Sequence, residues 1–126
     1  MKILVVDDDE LNRKILLDIL QDANYEVITA HDGKDGLNAL EANPDVQVVL
    51  LDRMMPEMDG MGFLKAIGQQ PQWKNLKIIM QTAANQPKDV IEGNAAGVYY
   101  YLTKPFDEEI VLSVVASAAN DAKALE

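Results

Sequence analysis

Short apolar runs alternate along the chain with stretches in which apolar residues recur at helical spacing. The apolar runs predict five strands, at Lys2–Val6, Glu26–Ala30, Gln47–Leu51, Lys77–Thr82 and Val98–Leu102. Each run is short and nearly continuously apolar, which is typical of strands that are covered on both faces. The stretches that follow the strands predict five helices, marked by Leu11–Leu20, Leu37–Leu40, Phe63–Ile67, Val90–Ala95 and Ile110–Ala118.

Repeated alternation of strand and helix predicts an α/β fold. In such a fold the strands form one parallel sheet, right-handed crossovers join them, and helices cover both faces of the sheet. The length of 126 residues suits a single domain, residues 1–126, and we find neither an internal repeat nor a linker. A domain of this size buries about two-thirds of the surface that its unfolded chain exposes.

Composition and charge disfavour several classes of function. The formal net charge of −10 disfavours direct binding to nucleic acid or to an anionic membrane, because phosphate contacts require lysine and arginine. The chain has no cysteine, which excludes disulfides and thiolate metal sites. Asp7 interrupts the first apolar run, so no signal peptide is predicted, and no apolar stretch approaches the roughly 18 residues of a membrane span. These features predict a soluble, cytoplasmic protein.

Three acidic residues follow predicted strands of the sheet. Asp7 and Asp8 come after the first strand, and Asp52 comes after the third, directly before a loop that contains proline and glycine. The carboxyl ends of parallel strands meet at one edge of the sheet, and ligands bind there. Carboxylates gathered at such an edge repel one another unless a cation joins them. Oxygen ligands suit Mg²⁺, for which Mn²⁺ can substitute, so the pattern favours a magnesium site.

The same edge carries further groups that suit phosphate chemistry. A carboxylate beside a divalent cation is a nucleophile towards phosphorus and forms an aspartyl phosphate. Thr82 and Lys104, near the ends of the fourth and fifth strands, offer a hydroxyl and an ammonium group to phosphate oxygens. Taken singly, they are ordinary strand-end and surface residues, and Asp9 or Glu10 is a helix cap. Only the joint placement at the ends of four strands favours a phosphoryl-transfer site.

Four motifs occur in order along the chain: Ile3–Asp9, Asp52–Gly60, Thr82–Ala83 and Tyr101–Phe106. In these motifs and their spacing, the whole chain resembles the receiver domain of response regulators in bacterial two-component signalling, and the chemotaxis regulators among them. The resemblance implies a flavodoxin-like, doubly wound, five-stranded parallel sheet with strand order 2-1-3-4-5 and five helices. It also implies a phosphorylation-dependent switch in a phosphorelay, which is not a turnover enzyme.

The resemblance assigns the acidic residues to one phosphorylation site. It implies that Asp52 accepts a phosphoryl group from a histidine kinase, a phosphotransfer protein or a small acyl phosphate. Asp8 is implied to bind Mg²⁺ directly, and Asp7 through a water molecule. Asp52 itself and the backbone carbonyl of Met54 are implied to be the remaining protein ligands of the metal.

The resemblance also assigns the residues that respond to the phosphoryl group. Lys104 is implied to bind the phosphate, and in the family its bond to Pro105 is cis. Thr82, which Ala83 follows, corresponds to the switch hydroxyl, and Tyr101 corresponds to the switch aromatic. In this mechanism Thr82 moves inward to the phosphoryl group and Tyr101 rotates into the space that Thr82 leaves.

Two positions that vary in the family are occupied here by Met54 and Ala84. They lie two residues after the phosphoacceptor and two residues after the switch threonine. Neither side chain can orient a hydrolytic water, and Met54 obstructs the approach of one. We therefore predict a phosphoryl group that persists longer than in relatives with polar residues at these positions.

The resemblance implies an upstream kinase or phosphotransfer protein and a downstream target protein or output domain. The sequence leaves open whether the receiver stands alone or belongs to a longer protein. The last predicted helix is apolar or small almost all round over Ile110–Ala119. One side must cover the sheet, and the other side predicts either a homodimer through this fifth helix or an exposed surface of alanine and serine.

The main alternative is an enzyme. Asp7 and Asp9 fit the start of the motif of haloacid-dehalogenase-type phosphatases, in which two aspartates act with Mg²⁺ on a small phosphate substrate. However, Leu11 stands where that motif has threonine or valine, and Asp52 has no part in it. Nucleotide or flavin binding on the same fold fails because no glycine-rich phosphate loop follows the first strand.

Overall fold

A computed structural model describes residues 2–52, 60–73, 75–83, 98–104 and 107–124. Within them, five strands form one parallel sheet in the order β2-β1-β3-β4-β5. The strands are β1 (Lys2–Val6), β2 (Glu26–Ala30), β3 (Val46–Asp52), β4 (Lys77–Ala83) and β5 (Tyr100–Lys104). The helices are α1 (Glu10–Asp22), α2 (Gly33–Ala42), α3 (Gly60–Gly68) and the last helix (Glu108–Ala124), with a 3-10 turn at Pro71–Trp73. The strand order confirms the expected flavodoxin-like sheet.

The bounds of the strands agree with the prediction at β1 and β2 and differ at β5. The fifth strand, expected at Val98–Leu102, begins at Tyr100 and ends at Lys104. Polar Thr103 and Lys104 belong to the strand because β4 continues through Ala83 and pairs with them. Backbone pairing with the neighbouring strand therefore decides where β5 ends, and the apolar run does not. The predicted helix marked by Val90–Ala95 lies outside the described residues.

Apolar side chains pack on both faces of the sheet, which explains the continuous apolar runs. Alternate residues of each strand contribute to two clusters, so that Leu4 of β1 lies on one face and Ile3 on the other. The first cluster packs against α2 and α3, and the second packs against α1 and the last helix. No helix among the described residues is both long and apolar enough to cross a membrane.

The last helix has a buried side of valine and alanine and an exposed side that is mostly small or polar. The buried residues include Val111, Val114, Val115 and Ala118, and the exposed ones include Ser113, Ala116, Ser117, Asn120 and Asp121. Ile110, at the start of the helix, is 47% exposed. Most of the described outer side is therefore small or polar, which favours the exposed alanine–serine surface over an apolar patch. In α1, Leu11 and Ile15 continue the predicted apolar stripe but are 68% and 44% exposed, so they lie outside the core.

Gly36 brings α2 close to β1 and α3. A methyl group at this position would lie 2.9 Å from Cε2 of Phe63 and 3.0 Å from Cγ2 of Val6, both fully buried. We expect Gly36→Ala to lower the free energy of unfolding by about 1 kcal/mol, because overpacking of about 1–3 kcal/mol exceeds the gain in helix propensity of roughly 1 kcal/mol. Urea unfolding measures this change.

Gly68→Ala is the matched control for this prediction. Gly68 ends α3, and a methyl group added there has no atom of the described residues within 4 Å. We expect this variant to be as stable as the wild type or slightly more stable. Equal destabilisation by the two substitutions would contradict the packing argument.

Candidate functional site

Three carboxylates lie together at the carboxyl edge of the sheet. Asp7 follows β1, and Asp52 ends the neighbouring strand β3, whose Leu51 pairs with Val6. One carboxylate oxygen from each of Asp7, Asp8 and Asp52 lies within 4.8 Å of the others. Asp7 is fully buried, Asp52 is 6% exposed, and Asp8 is exposed to solvent. The structure thus brings together the three acidic residues that the sequence pattern placed at this edge.

The chemistry of this donor set fits a hard divalent cation. Three negative charges at such short separation repel one another, and two of them are largely removed from water, which weakens screening. Carboxylate oxygens are the ligands that Mg²⁺ prefers, and Mg²⁺ retains several waters when few protein oxygens are offered. Among the described residues, the exposed side chain of Asp8 leaves one side of the cluster accessible to solvent.

The Asp7 carboxylate is held by hydrogen bonds from α1 and the turn before it. The backbone N–H of Asp9 donates to Asp7 Oδ1 at 2.9 Å, and the side-chain amide of Asn12 donates to Asp7 Oδ2. Nη1 of Arg13 donates to the backbone carbonyl of Asp7 at 2.8 Å. Both oxygens of Asp7 therefore already accept an N–H. Sequence reasoning missed Asn12 and Arg13, because nothing in the strand pattern marks residues that reach the site from a helix.

Asp9 begins α1 as its N-cap. One of its carboxylate oxygens accepts the backbone N–H groups of Leu11 at 3.0 Å and Asn12 at 3.2 Å. This confirms the interpretation of Asp9 as a cap, a role that aspartate fills well. The carboxylate that the phosphatase alternative requires as a catalytic acid is thus engaged with the start of the helix.

An uncharged polar side chain, that of Gln81, is buried beside the acid cluster. Gln81 of β4 is fully buried and pairs in register with Asp52 of β3. Its Oε1 accepts the Asn12 amide at 2.9 Å, whereas its Nε2 is buried without a hydrogen-bond partner among the described residues. An unsatisfied buried donor costs about 1–3 kcal/mol. The available signal was a glutamine directly after the apolar run Ile78–Met80, which the prediction did not use.

The backbones of the other proposed phosphate-binding residues lie along the same edge. Thr82 and Ala83 end β4, and Lys104 ends β5 directly opposite Ala83. Thr82 and Ala83 are one and two residues beyond Gln81, which pairs with Asp52. The roles of these three residues stay predictions. Met54, Ala84 and the cis bond expected at Pro105 lie outside the described residues.

Tyr101 and its two neighbouring tyrosines have different surroundings. Tyr101 is half-buried and packs against the cluster on the α2 and α3 face, and Tyr100 is 48% exposed. The hydroxyl of Tyr99 donates to Oδ2 of Asp121 at 2.5 Å, which raises the pKa of Tyr99 above its usual value. Ser117 Oγ lies 2.9 Å from the same hydroxyl. Tyr99 therefore ties the start of β5 to the last helix, and the switch role of Tyr101 stays a prediction.

Comparison with known proteins identifies the family. Residues 3–116 match the response regulator receiver domain. The chemotaxis protein CheY1 of Helicobacter pylori is 37% identical over 112 residues, which cover 88% of this chain and 90% of that protein. The structure of chemotaxis protein CheY4 of Vibrio cholerae is similar with a TM-score of 0.87 and 38% identity, covering 93% of this chain and 97% of that one. The transcriptional regulatory protein CpxR of Escherichia coli is 40% identical over 116 residues, which are 91% of this chain and 48% of that protein.

The chain therefore belongs to the response regulator receiver domain family. It is a receiver domain of two-component signalling, similar to the chemotaxis regulators, and Mg²⁺ binding and phosphorylation are typical of this family. The haloacid-dehalogenase-type phosphatase, the main alternative, has no support from these matches. The family and the fold thus agree with the resemblance that was inferred from the four sequence motifs.

Proposed function

We propose that Asp52 accepts a phosphoryl group from the phosphohistidine of a kinase or phosphotransfer protein, or from a small acyl phosphate. The observation that supports this proposal is the close approach of the Asp7, Asp8 and Asp52 carboxylates, within 4.8 Å, at the open edge of a parallel sheet. Asp8, Asp52 and the backbone carbonyl of Met54 would hold Mg²⁺, and Asp7 would hold it through water. Bound there, the ion neutralises negative charge on the transferred group and on the attacking carboxylate.

The proposed reaction is a nucleophilic displacement at phosphorus. An oxygen of Asp52 forms a bond to phosphorus while the bond from phosphorus to the donor nitrogen or oxygen breaks, and the bonding electron pair leaves with the donor. The product is an aspartyl phosphate on Asp52. Lys104 is proposed to neutralise and orient the phosphate oxygens from the end of β5, at the same carboxyl edge of the sheet.

The same proposal includes a conformational response. Thr82 donates a hydrogen bond to the phosphoryl group through an inward movement of the end of β4, where Ala83 also lies. Tyr101 rotates into the space that Thr82 leaves. Tyr101 is half-buried and packs against the core on the α2 and α3 face, which suits a side chain that changes its packing. Couplings of this kind are typically about 1–3 kcal/mol, so a graded shift of population is expected.

The proposed partners are those of a signalling switch. A histidine kinase or phosphotransfer protein acts upstream, and a target protein or output domain acts downstream, in the cytoplasm. Phosphorylation is stoichiometric in this proposal, and no substrate is turned over. We also propose a homodimer through the last helix, in which Ile110 makes the apolar contact. The rest of the described outer side of this helix is mostly small or polar. A monomeric sedimentation profile, with and without a phosphoryl mimic, would reject the dimer.

Intact-mass spectrometry tests the proposed function. After incubation with acetyl phosphate and Mg²⁺, the protein should gain the mass of one phosphoryl group. The gain should be absent when a chelator removes the metal, because uncompensated carboxylates repel the anionic donor. Equal phosphorylation with and without the metal would contradict the proposed site.

Met54→Asn tests the predicted persistence of the phosphoryl group. We expect the variant to lose it faster than the wild type, because an amide can orient a hydrolytic water and a thioether cannot. Ala84→Ser, at the other variable position, is a companion variant with the same expected direction. The measurement is the decay of the phosphorylated mass after the donor is removed. Equal or slower decay in Met54→Asn would refute the prediction.

A further inference from the structure

Hydrogen bonding around Asp7 has a fixed direction. A carboxylate only accepts, so Asn12 must turn its NH₂ group towards Asp7 Oδ2. The second hydrogen of this NH₂ group points to Oε1 of Gln81, at 2.9 Å. Gln81 must therefore present its oxygen to Asn12, and its own NH₂ group, turned into the interior, has no partner in the described part of the chain. The negative charge of Asp7 thus sets the orientation of both amides.

Gln81 lies in the same layer as the acids. Leu50 of β3 and Ile79 of β4, two residues before Asp52 and Gln81, both belong to the cluster on the α1 face. Since side chains alternate along a strand, Asp52 and Gln81 lie on that face too, and they pair in register. Gln81 is therefore adjacent to the proposed phosphoacceptor and is linked through Asn12 to Asp7.

An apolar residue at position 81 would avoid the unpaired donor, so the glutamine has a role other than packing. We propose that Gln81 is a positioning residue of the acid cluster, which acts through Asn12 to hold the Asp7 carboxylate in the orientation that faces a hydrated cation. With both oxygens of Asp7 already accepting N–H groups, this carboxylate is suited to contact water in the metal's shell. The inference rests on the proposed function and extends it to two residues on β4 and α1.

Gln81→Met tests the inference, because methionine has a similar volume and no hydrogen-bonding group of comparable strength. We expect the dissociation constant for Mg²⁺, measured by calorimetry, to rise roughly tenfold, as is typical when a residue supporting a metal ligand is removed. The melting temperature of the metal-free protein should be unchanged or higher, since the unpaired donor is removed. A purely structural role for Gln81 would lower this melting temperature.

Asn12→Ala and the double variant Asn12→Ala/Gln81→Met test whether Gln81 acts on Asp7 through Asn12. Asn12→Ala should also weaken Mg²⁺ binding, and adding Gln81→Met to it should cause no further loss, because Gln81 acts through Asn12. Gln21→Met, at an exposed position of α1, is the matched control and should keep the wild-type dissociation constant. In the metal-free protein, the NMR resonances of the Asn12 side-chain amide should shift in Gln81→Met.

Four results would overturn the inference. They are a wild-type dissociation constant in Gln81→Met, a lowered melting temperature of its metal-free form, a double variant with fully additive losses, and unchanged Asn12 amide resonances. Failure of the proposed function is a separate result, since it would appear as a wild-type protein that binds no Mg²⁺.

Discussion

Asp52→Asn should take up no phosphoryl group from acetyl phosphate under conditions in which the wild type takes up one. Asparagine has nearly the same shape as aspartate, but its amide is not a nucleophile towards phosphorus and provides a weaker metal ligand. Asp52 is 6% exposed at the end of β3, so the substitution also removes a largely buried charge from the cluster. Intact-mass spectrometry over a time course measures the loss, which should be complete within detection.

Asp18→Asn is a suitable control for this result. Its side chain lies on α1, is 60% exposed and belongs to no part of the acid cluster. This variant should be phosphorylated like the wild type. Phosphorylation that persists in Asp52→Asn would show that another residue accepts the group, and the assignment of Asp52 would be wrong.

Asp8→Asn should weaken Mg²⁺ binding by at least about tenfold, since removal of a direct ligand costs no less than removal of its support. In the wild type, Mg²⁺ at about 100 times its dissociation constant stabilises the folded protein by about 2.7 kcal/mol. For a domain of this size the melting temperature then rises by roughly 10 °C. At the same Mg²⁺ concentration, Asp8→Asn should lose at least about half of this shift. Its metal-free form should be at least as stable as the wild type, because one of three clustered charges is gone.

Asp9→Asn is the matched control for the metal prediction. It removes the same charge one residue further along, and asparagine caps a helix about as well as aspartate. The variant should keep α1 and the wild-type response to Mg²⁺, because Asp9 caps the helix and is not among the three clustered carboxylates. A loss of Mg²⁺ response in Asp9→Asn with none in Asp8→Asn would contradict the proposed ligand set.

Much of the fold was predictable because the inner strands β1, β3 and β4 are buried on both faces. Burial on both faces requires continuous apolar runs such as Ile3–Val6, and these runs predicted the strands, their alternation with helices and the parallel sheet. The acid cluster was predictable for a related reason. Asp7 and Asp52 end apolar runs on what the structure shows to be adjacent strands, so the topology brings them together.

The parts that the sequence did not predict depend on contacts between distant segments. The bounds of β5 follow from pairing with β4, which the apolar run Val98–Leu102 does not encode. The exposure of Leu11 depends on which side of α1 meets the sheet. The bridge from Asn12 to Gln81 joins residues that are 69 positions apart, and only the folded chain places their amides together.

The central claim is that a divalent cation binds between Asp8 and Asp52 and makes the Asp52 carboxylate reactive towards phosphorus. Anomalous scattering from crystals soaked in Mn²⁺, as a substitute for Mg²⁺, tests this claim most directly. A single strong peak within coordination distance of the Asp8 and Asp52 carboxylates, and absent from crystals of Asp8→Asn, is the predicted result. An empty cluster at saturating Mn²⁺, or a peak bound elsewhere on the protein, would contradict it.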